Sequence, residues 1–502
     1  MEQSKTAADL NPAGIAGAGA IDQTSDFRIS QIMNSSRRAF ASWREKSAGE
    51  RLSYLKKLKH VLIDHMDECI EVLAADTGKV KIEAVTADLM PVLDTLSFLE
   101  KNAEKSLKAR RVKTPIHFIG KKSYIEYMPR GAALIISPWN YPLQLALVPV
   151  VNALAAGNTV ILKPSEITAE TGLFIEKAVQ LAGFPDGVIQ VVHGGKETGQ
   201  ALVKAKPDFI FFTGSAAAGK KIQEEAAKTL IPVTLELGGK DPFIVFEDAN
   251  LERAAKAAAW GSFTNSGQVC MSTERIYVQE DVYKTFLDLL VSETVKLKQG
   301  RGEDDDIGAM THPSQLSVIK DHVEEAVAGG ARLIAGSLPE NWKLSEGLFI
   351  NPMVFADVKQ HMKIMQEETF GPVAAVMPFQ SEDEAIALAN DSVYGLNASV
   401  WSKDLEKAKR VTSRLETGNA VINDVMMSIA NQHLPFGGVK QSGIGKYHGK
   451  DGIRRFCHEK SVMVDRGRKK TEMQWYPYKN KYNKVKSLLK MLYGRKRNRK
   501  AR

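Results

Sequence analysis

The sequence predicts an α/β protein built around a doubly wound parallel sheet, and three observations support that fold class. The chain has 502 residues, 44% of them hydrophobic, which is enough for a large core and two to four domains. From Ala132 onward, short β-branched runs alternate with stretches whose apolar residues recur at helical spacing. Polar segments at residues 137–140, 163–166 and 213–215 directly follow predicted strands, and ligands bind such sheets at the carboxyl ends of the strands.

Two helices and a hairpin are predicted before this sheet. Ser47 and Glu50 have the spacing of a capping box, and the leucines after them recur at helical intervals. Residues 84–107 form a second amphipathic pattern, and both helices are expected to pack on the core without carrying chemistry. Residues 117–119 and 124–127 then flank a turn, which predicts a β-hairpin.

Strands and helices alternate in two successive groups after the hairpin. The first group has predicted strands at residues 133–136, 159–162, 188–192, 209–212 and 232–235, and helices at residues 143–155, 168–181, 198–204 and 217–228. In the second group a helix running from Glu252 through Trp260 leads to Cys270. Its predicted strands are residues 275–278, 333–334, 348–350, 373–377, 398–401 and 420–422, and its further helices are residues 282–296, 316–328, 383–389 and 405–415.

Charge and cysteine content exclude several classes of protein. The formal net charge is +9, but residues 466–502 carry fifteen Lys or Arg residues and one acid, Glu472, so the preceding chain is net negative. The basicity therefore belongs to a tail and does not indicate a nucleic-acid partner. The three cysteines are too scattered for a disulfide framework or a zinc site, which favours a cytoplasmic protein. The sequence shows no other cluster of residues expected to bind a metal.

The two ends of the chain carry no membrane-spanning or secretory pattern. Residues 1–25 are rich in Ala, Gly and small polar residues, which predicts a flexible leader rather than a signal peptide. No stretch approaches the roughly 18 apolar residues that a membrane span requires.

Cys270 follows a small polar loop at residues 263–269 and is the candidate nucleophile. A thiolate is the reactive form of cysteine, and Gly267 allows close approach to the backbone. A lone cysteine is more often a small buried hydrophobic residue, so the companions of Cys270 must decide between the two interpretations.

Five further motifs supply those companions. They are Pro138-Trp139-Asn140, Lys163-Pro164-Ser165-Glu166, Phe212-Thr213-Gly214-Ser215 with Gly219, Leu235-Glu236-Leu237-Gly238-Gly239-Lys240, and Glu368-Thr369-Phe370-Gly371-Pro372. Their order and spacing over residues 27–464 closely resemble the aldehyde dehydrogenase superfamily. The aromatic stretch after the last strand resembles the carboxyl extension of class 3 members.

The resemblance implies an aldehyde dehydrogenase-like architecture. We expect a NAD(P)-binding domain at residues 26–115 and 132–236 and an α/β catalytic domain at residues 237–435. A small β arm at residues 116–131 and 456–467 would mediate oligomerisation, giving a homodimer. Residues 468–502 then form the basic amphipathic tail.

The implied reaction is NAD(P)-dependent oxidation of an aldehyde to a carboxylic acid. Cys270 would attack the aldehyde to form a thiohemiacetal, whose oxyanion receives hydrogen bonds from the side-chain amide of Asn140 and the backbone N–H of Cys270. Hydride transfer leaves a thioester, and Glu236 matches the general base that activates the hydrolytic water. The alternative is that Asn140 serves only a turn and Glu236 is a structural carboxylate.

A dinucleotide site is predicted at the strand ends. Gly214 and Ser215 open a helix, so backbone N–H groups and the helix dipole could bind the diphosphate. Glu166, beside Lys163, could accept hydrogen bonds from the adenosine ribose and would repel a 2′-phosphate, which favours NAD while leaving NADP possible. The G-x-G-x-x-G motif is missing between the first strand and helix, as in the family. The resemblance adds these residues to the cofactor site: Trp139, Leu237, Glu368 and Phe370.

The tail suggests where the substrate comes from. Val485, Leu488, Leu489 and Leu492 recur at i, i+3, i+4 and i+7 among lysines, which is typical of a helix lying on an anionic membrane surface. A solvated disordered tail and nucleic-acid binding are the competing interpretations. Peripheral contact with the inner membrane surface favours a lipophilic aldehyde, such as a long-chain, aromatic or carotenoid-derived one.

Two other functions are compatible with parts of the sequence. A semialdehyde dehydrogenase for a small polar substrate would need a cationic anchor in its substrate tunnel. A catalytically idle membrane scaffold is disfavoured because Cys270, Glu236 and Asn140 are all intact.

Overall fold

The computed structural model describes residues 26–339, 342 and 347–494, so the predicted leader at residues 1–25 lies outside the described residues. The described chain divides into two compact units, one of residues 26–108 and 127–458 and the other of residues 109–126 and 459–494.

The helices and strands are numbered in chain order. The helices are α1 (Asp26–Trp43), α2 (Ala48–Asp64), α3 (Met66–Thr77), α4 (Lys81–Glu83), α5 (Met90–Leu107), α6 (Gln144–Ala155), α7 (Ala169–Ala182), α8 (Lys196–Lys204), α9 (Ala216–Ala227), α10 (Leu251–Phe263), α11 (Glu280–Thr294), α12 (Gln315–Ala328), α13 (Lys363–Gln366), α14 (Glu382–Asn390), α15 (Leu405–Thr412), α16 (Gly449–Arg455) and α17 (Tyr482–Tyr493). The strands are β1 (Arg110–Val112), β2 (Lys122–Pro129), β3 (Ala132–Ile136), β4 (Thr159–Lys163), β5 (Ile189–Val191), β6 (Phe209–Thr213), β7 (Val233–Glu236), β8 (Asp241–Val245), β9 (Thr273–Gln279), β10 (Arg332–Ala335), β11 (Met353–Ala356), β12 (Val373–Phe379), β13 (Ser399–Trp401), β14 (Val421–Ile422), β15 (Gly443–Ile444) and β16 (Cys457–Val464).

The first large sheet has the strand order β15-β7-β6-β3-β4-β5. Its strands pair in parallel except for β15, which runs antiparallel to β7. In this register Ile136 lies opposite both Lys163 and Phe212, and Thr213 lies opposite Glu236. The carboxyl ends of β3, β4, β6 and β7 therefore share one edge. The predicted doubly wound α/β fold is confirmed.

The second large sheet, in the order β10-β11-β12-β9-β8-β13-β14, is parallel apart from its edge strand β10. The sequence did not predict β8, a short buried run that begins at Asp241-Pro242. The predicted strand at residues 348–350 is wrong, because the strand that pairs with β10 and β12 is β11, which begins after Pro352. The carbonyls of Leu348 and Ile350 instead accept hydrogen bonds from Met310 N–H and Gln299 Nε2, both at 2.7 Å.

Three local features lie in the first unit. The capping box at Ser47 and Glu50 is confirmed at the start of α2. Helix α6 is buried along its whole length, so it packs as a core helix behind the loop that follows β3. Between α4 and α5 the chain forms a π-helical turn, Ala84–Leu89, of the kind that often occurs near functional sites.

The second unit holds a three-stranded sheet in the order β1-β2-β16. The predicted hairpin is misplaced: its first strand is β1, which pairs antiparallel with β2 from Arg110 opposite Ile125 to Val112 opposite Ser123. Residues 116–118 form a 3₁₀ turn after Pro115, whose nitrogen cannot donate to a ladder. Helix α17 follows, and none of its residues is buried. Within the described residues, no helix combines the length and apolar character needed to cross a bilayer.

Candidate active site

A cavity of about 300 Å³ opens at the shared edge of the first sheet. Three side chains proposed for catalysis line it: Cys270, Glu236 and Asn140. The lining also includes six of the residues expected to bind the cofactor: Trp139, Gly214, Ser215, Leu237, Glu368 and Phe370. The fold thus brings together groups that come from five separate segments of the sequence.

The loop before Cys270 reverses the chain sharply inside the protein. Helix α10 ends at Phe263, and Asn265, Ser266 and Gly267 then have φ values of 50°, 56° and 71°, in the left-handed region. A Cβ atom on Gly267 would lie 2.0 Å from the Gly371 carbonyl oxygen. This close approach explains why glycine stands at position 267, and it delivers Cys270 to the cavity wall.

The Cys270 side chain is partly exposed in the cavity. Burial raises the pKa of the Cys270 thiol above its usual value, and the negative charges of Glu368, Asp241 and Glu236 raise it further. The resting sulfur is therefore a neutral thiol, and a base has to remove its proton before or during attack.

The side-chain amide of Asn140 is fixed by the same loop. Its Nδ2 atom donates to the backbone oxygen of Gln268 at 2.9 Å. An amide nitrogen has two hydrogens, so one is committed to Gln268 and the other can serve a ligand in the cavity. The backbone oxygen of Asn140 accepts hydrogen bonds from Lys79 Nζ at 2.9 Å and Asn265 Nδ2 at 3.1 Å, which restrain the backbone of the residue.

Glu236 ends β7 and is almost completely buried. Within the described residues neither of its carboxylate oxygens has a hydrogen-bond partner. Burial raises the pKa of Glu236 well above its usual value, against the opposing charges of Lys446 and Arg455. A carboxylate with raised proton affinity and unengaged oxygens is suited to remove a proton from a substrate or a water molecule.

Glu368 and Phe370 form another wall of the cavity. Glu368 Oε1 accepts a hydrogen bond from Gly239 N–H at 3.0 Å. Burial, and then the charge of Glu274, raises the pKa of Glu368 to about 8. Phe370 has a left-handed φ of 52° and meets the Trp139 ring edge to face at 5.5 Å.

A buried ion pair that was not predicted from the sequence holds this wall. Lys240 and Glu274 are in contact, and Lys240 Nζ also donates to Thr369 Oγ1 at 3.0 Å. Glu274 Oε2 accepts from Thr369 N–H at 2.8 Å. Glu274 lies in β9, 95 residues before Thr369, so only the tertiary fold brings them together.

The segment just before α9 lines the cavity through Gly214 and Ser215. Ser215 is the N-cap, and its side chain accepts from Ala218 N–H at 3.3 Å. Gly214 N–H is committed to the Glu236 carbonyl at 3.0 Å, so the donors left for a diphosphate are the first N–H groups of the helix. A Cβ on Gly214 would lie 2.6 Å from the Phe212 ring, so a larger residue here would require this ring to move.

Lys163 and Glu166 lie at the end of β4, outside the cavity lining. Lys163 is buried, and its Nζ contacts Glu166 Oε2 at 2.5 Å, while the Glu166 carboxylate is 41% exposed. The second carboxylate oxygen is thus placed to receive a ligand. Among the described residues, no group of three or more His, Cys, Asp and Glu side chains could hold a metal ion.

Comparison with known proteins agrees with this geometry. The chain is 45% identical over 468 residues to the 4,4′-diapolycopene aldehyde oxidase of a Methylomonas species, covering 93% of this chain and 87% of the relative. It is 35% identical over 467 residues to the 4,4′-diaponeurosporen-aldehyde dehydrogenase of Staphylococcus aureus, covering 92% of this chain and 99% of the relative. A crystal structure of betaine aldehyde dehydrogenase from S. aureus in complex with NAD⁺ matches with a TM-score of 0.83 and 33% identity, covering 90% of each chain.

A family model also matches most of the sequence. The model of the aldehyde dehydrogenase family matches residues 1–462. That range includes every residue that lines the cavity, together with both large sheets. The cavity, the fold and these matches agree, and they show that the chain belongs to the aldehyde dehydrogenase family.

Proposed function

We propose that the protein oxidises an aldehyde to a carboxylic acid with NAD, using Cys270 as the nucleophile. The observation that carries the proposal is that Cys270, Glu236 and Asn140 open onto one cavity. A thiol, a carboxylate of raised proton affinity and an oriented amide are the groups that this reaction needs.

In the first step the Cys270 sulfur attacks the aldehyde carbon as its proton leaves. The Cys270 side chain is partly exposed in the cavity, so we assign this proton to solvent water and reserve Glu236 for the hydrolytic step. The carbonyl oxygen becomes an oxyanion and accepts hydrogen bonds from Asn140 Nδ2 and from the backbone N–H of Cys270. The product is a thiohemiacetal on Cys270.

The second half of the reaction releases the acid. Bound NAD supplies the acceptor for the hydride that leaves the thiohemiacetal carbon. Cys270 then carries a thioester, and Glu236 removes a proton from the water that attacks it. The proton held by Glu236 passes to the departing sulfur, so the acid is released and the thiol is regenerated. Glu236 also distinguishes this reaction from acyl transfer to a thiol cofactor, for which no such base is needed.

NAD is supported as cofactor by the residues around the cavity. The first turn of α9 presents N–H groups to a diphosphate, and Glu166 can accept hydrogen bonds from ribose hydroxyls while repelling a 2′-phosphate. Glu368 and Phe370 are assigned to the nicotinamide-side ribose and ring, and Trp139 and Leu237 complete that wall. Lys163 could neutralise part of a 2′-phosphate, so NADP is expected as a weaker alternative.

Mixing the purified protein with NAD and a panel of aldehydes, while following the absorbance of reduced cofactor, tests the proposal. Aldehyde-dependent reduction that is abolished in Cys270→Ala would support it. No reduction with any aldehyde, or undiminished turnover in Cys270→Ala, would overturn it. NAD affinity measured on both proteins shows that the variant still folds.

We propose further that the aldehyde is lipophilic. Two relatives are named for carotenoid-derived aldehydes, and among the described residues that line the cavity there is no Lys or Arg to anchor the distal carboxylate of a semialdehyde. Comparing kcat/KM for hexadecanal, acetaldehyde and succinic semialdehyde tests this. A preference for succinic semialdehyde would favour the polar alternative.

The second unit supports a homodimer. Its three-stranded sheet has open edges in β1 and β16, and Ile116 and Ile119 are exposed on the connecting turn. Light scattering of the purified protein should give twice the chain mass. A monomer at micromolar concentration would overturn this assignment.

We propose that the tail lies on the inner surface of an anionic membrane, with the body of the protein in the cytoplasm. Helix α17 has no buried residue, and Leu489 and Met491 are exposed beside Lys484, Lys486 and Lys490. Flotation with vesicles of phosphatidylglycerol and phosphatidylcholine should capture the full chain, and Leu489→Glu should release it. Equal recovery with and without vesicles would indicate a solvated tail.

A further inference from the structure

We propose that Lys79, Glu83 and Asp88 form a brace that positions both donors of the oxyanion site. The inference rests on the proposed function, because it concerns how the same site is held in place. None of these three residues lines the catalytic cavity, so they are positioning residues and not catalytic ones. Lys79 lies two residues before α4, and Glu83 is the last residue of that helix. Asp88 lies within the π-helical turn Ala84–Leu89.

Lys79 restrains the loop that carries Asn140. Its side chain is fully buried, and Nζ donates to the Asn140 backbone oxygen at 2.9 Å and to Asp88 Oδ2 at 2.5 Å. The ammonium group also lies 4.3 Å from the centre of the Tyr141 ring, the next residue in the loop. Because the buried Lys79 ammonium group has no access to water, these contacts hold it in place. The distance from Lys79 to Asn140 is therefore tightly defined.

Asp88 extends the restraint to the helix behind the loop. Its side chain is fully buried, and Oδ1 accepts hydrogen bonds from the backbone N–H groups of Leu143 and Gln144, both at 3.2 Å. These groups lie at the start of α6, where N–H groups have no partner within the helix. The Asp88 carboxylate therefore joins Lys79 and α6, and the Asn140 loop lies between them.

Glu83 restrains the other loop, which carries Cys270. Its Oε1 atom accepts hydrogen bonds from Asn265 N–H at 2.7 Å and Thr264 Oγ1 at 2.8 Å. Asn265 and Ser266 adopt left-handed backbone conformations that persist only where surrounding contacts enforce them. Glu83 supplies such a contact at the first of these residues.

The two loops also meet each other, which completes the brace. Asn265 Nδ2 donates to the Asn140 backbone oxygen at 3.1 Å, beside Lys79, and Asn140 Nδ2 donates to Gln268 at 2.9 Å. An oxyanion site needs its donors fixed before the charge develops. The side chains of Lys79, Glu83 and Asp88 therefore set the separation between the Asn140 amide and the Cys270 backbone.

The main test uses the double substitution Lys79→Met with Asp88→Asn, which removes both charges together and retains an Oδ1 acceptor for α6. We expect kcat to fall about tenfold to a hundredfold, while KM for NAD and the melting temperature change little. The surface pair Lys81 and Glu71, 2.5 Å apart, is the matched control, and Lys81→Met with Glu71→Gln should leave kcat unchanged.

A second measurement separates positioning from general damage. In an Asn140→Ala background the same double substitution should lower kcat by less than threefold, because the group that it positions is already missing. An equal fall of kcat with and without Asn140 would overturn the proposal.

Glu83 gives an independent test should the double variant fail to fold. Glu83→Gln retains an acceptor for Asn265, whereas Glu83→Met does not, so kcat should fall more in the methionine variant. Equal activity of the two Glu83 variants would overturn the proposal for the Cys270 loop. Wild-type enzyme without NAD reduction would instead refute the proposed function itself.

Discussion

The side-chain nitrogen of Asn140 lies 2.9 Å from the backbone oxygen of Gln268, two residues before Cys270. This hydrogen bond links the loop after β3 with the loop after α10, which are separated by 128 residues of sequence. It uses one amide hydrogen and orients the other. The Asn140 side chain therefore contacts the loop that carries Cys270, in addition to its place in its own turn.

Replacement of Asn140 should therefore affect the chemical step. We expect Asn140→Ala to lower kcat by about a hundredfold to a thousandfold, because the thiohemiacetal oxyanion loses a preorganised donor. KM for NAD should change little. Stopped-flow measurement of the first turnover checks the prediction, and a rate of the first turnover equal to that of the wild type would contradict it.

Glu236 should be needed for every turnover after the acyl group has formed. Because its carboxylate is the only base assigned to the hydrolytic water, Glu236→Gln should lower steady-state turnover by about a hundredfold or more. The substitution keeps the volume of the buried side chain. Reduced cofactor measured against time at saturating aldehyde checks the prediction, and wild-type steady-state turnover in the variant would contradict it.

The stability of the protein without cofactor should decrease as pH rises. Glu368 has a pKa raised from 4.5 to about 8, so the folded state favours its neutral form. The contribution of neutral Glu368 to stability is complete below the pKa of this group in the unfolded chain. It is lost as pH rises through the pKa of the same group in the folded protein. Urea denaturation between about pH 5 and 8 should therefore show a steeper loss of unfolding free energy in the wild type than in Glu368→Gln. Parallel curves for the two proteins would contradict the assignment.

The tight turn before Cys270 should not tolerate a side chain. Gly267→Ala adds a Cβ 2.0 Å from the Gly371 oxygen at a φ of 71°, so the loop or the 371 segment has to move. Gly330→Ala is a matched control, because Gly330 has a φ of 94° and no atom within 4 Å of the added Cβ. The control should cost about 1 to 2 kcal/mol of unfolding free energy and leave kcat intact.

The Gly267 variant should lose more stability than this control and most of its activity. Urea denaturation and steady-state assays of both variants check the comparison. Equal losses in the two variants would show that the contact with Gly371 is unimportant.

The sequence predicted the sheet edge that organises the site better than the network behind it. Asn140, Lys163, Ser215 and Glu236 each lie at or just beyond the end of a strand, and in a parallel sheet such residues meet at one edge. Strand alternation could therefore predict their proximity. The misplaced hairpin strand and the absent strand at residues 348–350 arose because short apolar runs do not reveal their pairing partners.

The brace could not be predicted in the same way. Asp88 lies in residues 84–107, which were expected to pack on the core without carrying chemistry, and Lys79 and Glu83 lie outside the predicted helices. Their burial depends on α6 and on the loops at Asn140 and Asn265. Such contacts across long sequence separations are properties of the folded chain alone.

The covalent intermediate on Cys270 tests the central claim most directly. The Glu236→Gln variant, incubated with NAD and a reactive aldehyde and then denatured in acid, should gain the mass of one acyl group on the peptide that contains Cys270. Omitting NAD should abolish the adduct, since the thioester forms only after hydride transfer. Reduction of the cofactor without any acyl group on Cys270 would contradict the account.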